Sequence, residues 1–206
     1  MSGSFRYTPE MVDCRYCTEY VKKQHGCRAK FCPWLEERIE AGVIGYYEAI
    51  KESQMLESPA RGRIEVLIEQ FPNSFWVDKN HYLRMNYLRA LHSYSKQRDT
   101  PNWYASLYLL SSTSGLCGRT INCIRKESIE FSFAKLRNIS ISDYALFMAA
   151  KTIYTGEQKI TVDDLLDIEI IDDETFKLII NAQLISRYGP AIMKVKEKRI
   201  QGRGAK

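Results

Sequence analysis

The chain has 206 residues, 45% hydrophobic and 12% aromatic, a composition that excludes global disorder and suits one compact domain plus a small module. Its formal net charge of +5 equals the excess carried between Lys194 and Lys206, where six cations face Glu197 alone, so Met1 to Met193 is neutral. The opening Met1 to Tyr7 has no apolar h-region and no stretch reaches the ~18 apolar residues of a membrane span, which points to a cytoplasmic chain with reduced thiols.

In chain order, the first signal is a C-x2-C-x9-C-x4-C run formed by Cys14, Cys17, Cys27 and Cys32. Tetrahedral zinc needs four soft or borderline ligands on one point; a C-x-x-C turn offers two thiolates, and a second pair closes the site. The run reads as structural zinc in a module spanning residues 1–44. Two disulfides, which require an oxidising compartment, and unliganded or redox thiols are the rival readings. His25, two residues before Cys27, can replace one thiolate.

Helix punctuation follows. Pro33 opens a short helix, Trp34 to Ala41, that Gly42 ends, and a second segment, Gly45 to Glu57, places Tyr47, Ile50 and Gln54 on one side. Ser58 to Gly62 reads as a linker, and Arg63 to Phe71 repeats apolar residues at helical spacing. Asn80 is the expected N-cap of a helix from His81 to about Gln97, with Leu83, Tyr87, Leu88, Leu91 and Tyr94 as its apolar positions. Thr100 and Pro101 start another, expected to run to Gly115. Ile129 to Leu136 alternates and predicts a lone strand or an extended crossing. Cys117 and Cys123 have apolar neighbours and read as buried thiols acting as small hydrophobes.

The last third predicts three helices. Ser142 caps Asp143 to Tyr154, Thr161 caps Val162 to Leu166, and Asp172 caps Asp173 to Tyr188, closed by Gly189 and Pro190. The fold expected is mostly α: the zinc module, a helical body over 45–139, a tri-helical, helix-turn-helix-like unit over 140–190, and a basic flexible tail over 191–206.

Two surfaces carry functional expectations. A recognition helix places its first turn against an anionic groove, yet here that turn holds Asp172, Asp173 and Glu174, which repel phosphate and suit a basic protein surface. Lys194, Lys196, Lys198, Arg199 and Arg203 form a basic arm suited to nonspecific phosphate contact, or a solubilising terminus with no partner. Tyr82, Arg84, Tyr87, Arg89, Tyr94, Lys96 and Arg98 interleave aromatic and basic residues, either a nucleic-acid surface or tyrosines facing the core beside solvated cations. No Walker loop, G-x-G-x-x-G, G-x-S-x-G or H-E-x-x-H occurs, and the acidic residues from Asp163 to Asp173 sit where they cap helices rather than hold magnesium, so the expectation is a non-enzyme.

The opening Phe5 to Pro9, the Val12 to Cys17 run, Cys32 to Gly42, the Asp143 to Gly156 block and the ending Ala182 to Gly189 resemble small cysteine-rich proteins carried on mobile elements of Gram-positive bacteria. The resemblance covers the two ends better than the middle and implies a genetic context more than an activity; accessory proteins of such elements include anti-CRISPR inhibitors and regulators of transfer genes. The expectation is a zinc-stabilised, non-catalytic protein that engages a host nucleoprotein such as a CRISPR effector. The alternative is a DNA-binding regulator. No membrane or small-molecule substrate is expected.

Overall fold

The computed structural model describes residues 17–21, 23, 26–28, 32–53, 55–72, 74–93, 95 and 98–196. The protein is mostly helical, with nine α-helices among the described residues and one two-stranded antiparallel ribbon, β1 (Tyr20–Val21) and β2 (Gly26–Cys27). No described helix is long and apolar enough to cross a membrane.

The core forms around α5 (Pro101–Leu110), in which eight of ten residues are buried. Thr100 caps it through the Trp103 N–H and Pro101 occupies its first turn, where a missing N–H costs nothing. A helix apolar on every side must be enclosed by others. Here α7 (Ile141–Thr155) and α9 (Asp173–Tyr188) supply the most extensive packing. The helix stops at Leu110 rather than at Gly115. The Ser111 and Ser112 hydroxyls bond back to the Tyr108 and Leu109 carbonyls, at 3.1 and 2.7 Å, and compete with continued helix. Thr113 then caps a separate helix, α6 (Ser114–Thr120), accepting from the Leu116 N–H.

Before α5 lie α1 (Leu35–Glu40), α2 (Tyr46–Glu52), α3 (Arg61–Glu69) and α4 (Lys79–Ala90). The inward side of α2 is Tyr46, Ala49 and Ile50, whereas Tyr47 is exposed; Gln54 lies outside the described residues. Ser58 to Gly62 is a tight turn with Ala60 in the core, and Arg61 and Gly62 already belong to α3. The cap of α4 is Asp78, not Asn80: its extended backbone lets the carboxylate accept from the His81 N–H at 2.6 Å. That register turns His81, Met85 and Leu88 inward and leaves Leu83 and Tyr87 exposed, and the helix ends at Ala90.

Ile129 to Leu136 forms no strand. Ile129 makes a single bridge to Ile124 and the chain coils into a 3-10 turn over Phe131–Phe133, since no neighbouring strand offers a ladder. After it, α7 is capped by Ser140 rather than Ser142, and Gly156 closes it at φ +76°, a left-handed conformation that glycine adopts without penalty. The short α8 (Val162–Leu166) is capped by Thr161 and α9 by Asp172, as their sequences predict.

Cap residues also bind elements to one another. Thr113 donates to the Asp143 carboxylate at 2.7 Å and Ser142 donates to Asp172 at 2.9 Å, so the N-termini of α6, α7 and α9 are tied in series. Inside, the Tyr46 hydroxyl donates to Asn181 Oδ1 at 2.7 Å, Asn181 Nδ2 donates to the Tyr108 hydroxyl at 3.2 Å, and Tyr108 donates to the Phe75 carbonyl. That chain satisfies buried polar atoms from four separate stretches of sequence.

Candidate functional site

Seven carboxylates fall between Asp163 and Glu174, with no Lys or Arg between Ile160 and Phe176. Several complete local turns. Asp164 accepts from the Thr161 N–H and hydroxyl, both at 2.8 Å, which hold its carboxyl below the usual range. Asp167 accepts from the Glu169 N–H at 2.9 Å. Partial burial works to raise the Asp172 carboxyl, but bonds from Thr175 and Ser142 prevail and hold it low. These residues therefore have capping partners in the fold.

The two carboxylates of the first turn of α9 point outward. Asp173 is 75% exposed and pairs with Arg63 at 2.7 Å, and Glu174 is exposed. Arg63 itself is well placed to organise this end of the molecule. Its guanidinium donates to the Leu165 carbonyl at 2.7 Å and the Ile171 carbonyl at 2.9 Å, and lies 4.3 Å over the Phe176 ring. From α3, a planar fork with five donors can reach α8, the α8–α9 link and α9 together, which a lysine cannot. The result is a groove of about 530 Å³ between α3 and the α8–α9 link, lined by Val66, Leu67, Leu166, Ile168 and Phe176 with Asp173 and Glu174 at its edge.

The interleaved region divides sharply. Tyr82 and Tyr87 are 48% and 56% exposed on the outer side of α4, near the exposed Lys79 and Arg89, so these tyrosines do not face the core. Two arginines expected on that surface turn inward. Arg84 donates to the Ser111 and Ser112 carbonyls, and Arg98 is buried against Asp99 and over the Trp103 ring. Tyr94 and Lys96 lie outside the described residues.

Among the expected zinc ligands, Cys17 and Cys32 are half-buried, Cys27 lies in β2, and Cys14 and His25 fall outside the described residues. Tyr20 pairs with Cys27 and the Arg28 N–H donates to the Glu19 carbonyl at 2.8 Å. Cys17 precedes β1 and Cys32 follows β2, so this antiparallel return lies between them in the chain. From there the chain enters α1, whose Leu35 is buried, and α1 packs against the 3-10 turn Pro190–Lys194. Lys194, expected on a free arm, is in that turn and pairs with Glu36 at 3.2 Å. Lys196 is exposed; Lys198, Arg199 and Arg203 lie outside the described residues. Cys117 and Cys123 are buried, and burial raises both thiols, Cys123 to about 11, so neither is a ready thiolate.

Sequence reasoning finds the acidic turn but misses Arg63, Val66 and Ile168, which make it a groove. Ile168 and Ile170, set among carboxylates, were the available signal. Comparison of the chain with protein-family models, with curated proteins and with solved structures finds no match.

Proposed function

We propose that this chain is a non-catalytic, zinc-stabilised binding protein that engages a basic surface of a host nucleoprotein. The observation that carries the reading is the acidic stretch from Asp163 to Glu174, which contains no Lys or Arg of its own and exposes Glu174 beside the Arg63-paired Asp173, backed by the groove next to it. Such a surface repels nucleic acid and attracts a protein surface built to hold nucleic acid. The resemblance to mobile-element proteins implies a genetic context in which anti-CRISPR inhibitors occur, so a CRISPR effector is the partner we propose, with the chain as its inhibitor. Cys14, Cys17, Cys27 and Cys32 would hold the zinc, whose part is to fix the fold of the module. Four thiolates form a closed donor set, and the ribbon returns the chain in the sense such a set needs.

The test is a pull-down from host lysate with and without nuclease. One defined nucleoprotein that survives nuclease, is lost on combined Asp173→Lys and Glu174→Lys, and weakens as salt rises is expected. Asp172 is left intact because it caps α9. Capture indifferent to these charge reversals would refute the acidic contact.

The layout of α7, α8 and α9, a helix, a short helix and a longer helix, supports a second reading, a helix-turn-helix-like regulator of DNA. The carboxylates in the first turn of α9 weigh against it. Duplex binding with a steep salt dependence would restore it.

A further inference from the structure

We infer that the face built from the end of α6 and the chain that follows it to Asn138 binds single-stranded nucleic acid. Arg125, Lys126, Lys135 and Arg137 meet its phosphates, and a base lies against the Arg125–Phe133 pair. The inference goes beyond the protein contact proposed above and does not rest on it.

Charge is segregated along this chain. From Lys79 to Ser142 the sequence carries ten Lys and Arg against Asp99, Glu127 and Glu130, whereas Asp143 to Pro190 carries nine carboxylates against four cations. The fold engages some of the ten and leaves others in water. Arg98 is answered by Asp99, and Arg84 is held by the Ser111 and Ser112 carbonyls. Arg125, Lys126, Lys135 and Arg137 are exposed, and none forms an ion pair among the described residues. Only two carboxylates share their stretch, Glu127 and Glu130, and Glu130 accepts from the Ser128 hydroxyl at 2.7 Å. Asp143, the next along the chain, accepts from Thr113.

The exposed cations are also held in place by two inner arginines. Arg119 donates to the carbonyls of Lys135, Arg137 and Asn138 at 3.2, 2.6 and 3.2 Å, and the Lys135 N–H donates back to the Arg119 carbonyl at 3.0 Å. Ala134 and Leu136 consequently pack on the core while Phe133, Lys135 and Arg137 are exposed. The alternation that predicts a strand here survives in the side chains, without a ladder. Arg98 Nη1 donates to the Lys126 carbonyl at 3.3 Å, and the Arg125 N–H donates to the Ser128 carbonyl at 2.9 Å, which fixes the turn carrying Arg125 and Lys126. From that turn the Arg125 guanidinium lies 4.2 Å over the Phe133 ring, which stays 52% exposed. Backbone set in advance lowers the ordering cost of binding.

The occupant follows from the two features together. Unpaired Lys and Arg attract any polyanion, by releasing its counterions. An exposed ring carrying a guanidinium adds a π-surface that every unpaired base can meet. A duplex keeps its base faces inside the stack, and an acidic protein surface has no base to offer, so neither uses Phe133.

The experiment titrates the full chain into a fluorescein-labelled twelve-nucleotide oligothymidylate, read by anisotropy over a series of salt concentrations. Saturable binding that falls about tenfold with Phe133→Ala is expected. Combined Lys135→Ala and Arg137→Ala should make the plot of log affinity against log salt shallower by about 1.4, from two phosphate contacts at ~0.7 each. Phe133 does not pack on the core, so its variant should melt as the parent does. Single-strand affinity that ignores Phe133→Ala would overturn the inference, leaving only diffuse attraction. Equal affinity for a duplex of the same length, or for a twelve-residue polyglutamate, would overturn the assignment of a single strand. Binding that survives both face variants but is lost with combined Lys198→Ala, Arg199→Ala and Arg203→Ala would give the contact to the tail instead. The assay contains no host protein, so nucleoprotein capture can fail while this binding stands, and the reverse.

Discussion

His81 shows how a single side chain sets a pH dependence. It is fully buried, accepts from the Val77 N–H at Nδ1 and donates from Nε2 to the Tyr108 carbonyl at 2.8 Å, which requires the neutral Nε2–H form. Burial holds its pKa down to about 4 from 6.5; the bond to the Tyr108 carbonyl opposes that shift and Arg84 adds to it. The unfolded chain takes up a proton below 6.5 and the folded chain does not until about 4. Stability from this group is therefore complete above 6.5 and is lost as pH falls between those values, by roughly 3 kcal/mol. Guanidinium midpoints measured at pH 7.5 and 4.5 should fall less for His81→Gln than for the parent; equal losses would show that other groups dominate. Asn181 is the other residue on which the core depends. Asn181→Ala leaves the Tyr46 hydroxyl without its acceptor and opens space beside Tyr108, which should cost about 3 kcal/mol in urea unfolding.

At the scale of elements, Arg63 and the ribbon make opposite kinds of prediction. Arg63→Met keeps the packing over Phe176 but removes the donors with which Arg63 holds Leu165, Ile171 and Asp173. Amide exchange across residues 162–172 should accelerate at least tenfold while α5 and α7 stay protected. The proposed zinc site predicts that Cys14→Ser or Cys32→Ser abolishes zinc by elemental analysis and raises exchange in residues before Cys32. Helix α1 should stay protected, because Leu35 and the Pro190–Lys194 turn hold it independently. The elements themselves were unevenly legible. Thr100, Thr161 and Asp172 each cap the helix expected of them. Asp78 and Asn80 are equally good caps locally, and the choice falls to the one that turns His81 toward Tyr108, a residue far along the chain. Ser140 prevails over Ser142 for a similar reason, since Ser142 is engaged by Asp172. Alternation from Ile129 to Leu136 misleads because a strand needs a partner that sequence spacing does not supply.

For the whole molecule, the mostly helical architecture was legible in its caps and periods, and the groove was not. Its acidic edge is one contiguous stretch, but Val66 and Arg63 reach it from about 100 residues earlier, through bonds that no local pattern announces. The central position of α5 has a consequence during synthesis. Its apolar run from Trp103 to Leu110 finds its main cover in α7 and α9, and the last of α9 is made about 80 residues later. At ~5–20 residues per second, the run waits roughly 4–16 s for that cover after it is made. A chain stopped at Gly156 lacks α9 altogether and should leave the ribosome as an aggregation-prone product. In a cell, the yield of this protein would then be decided by how well a chaperone shields one stretch of eight residues.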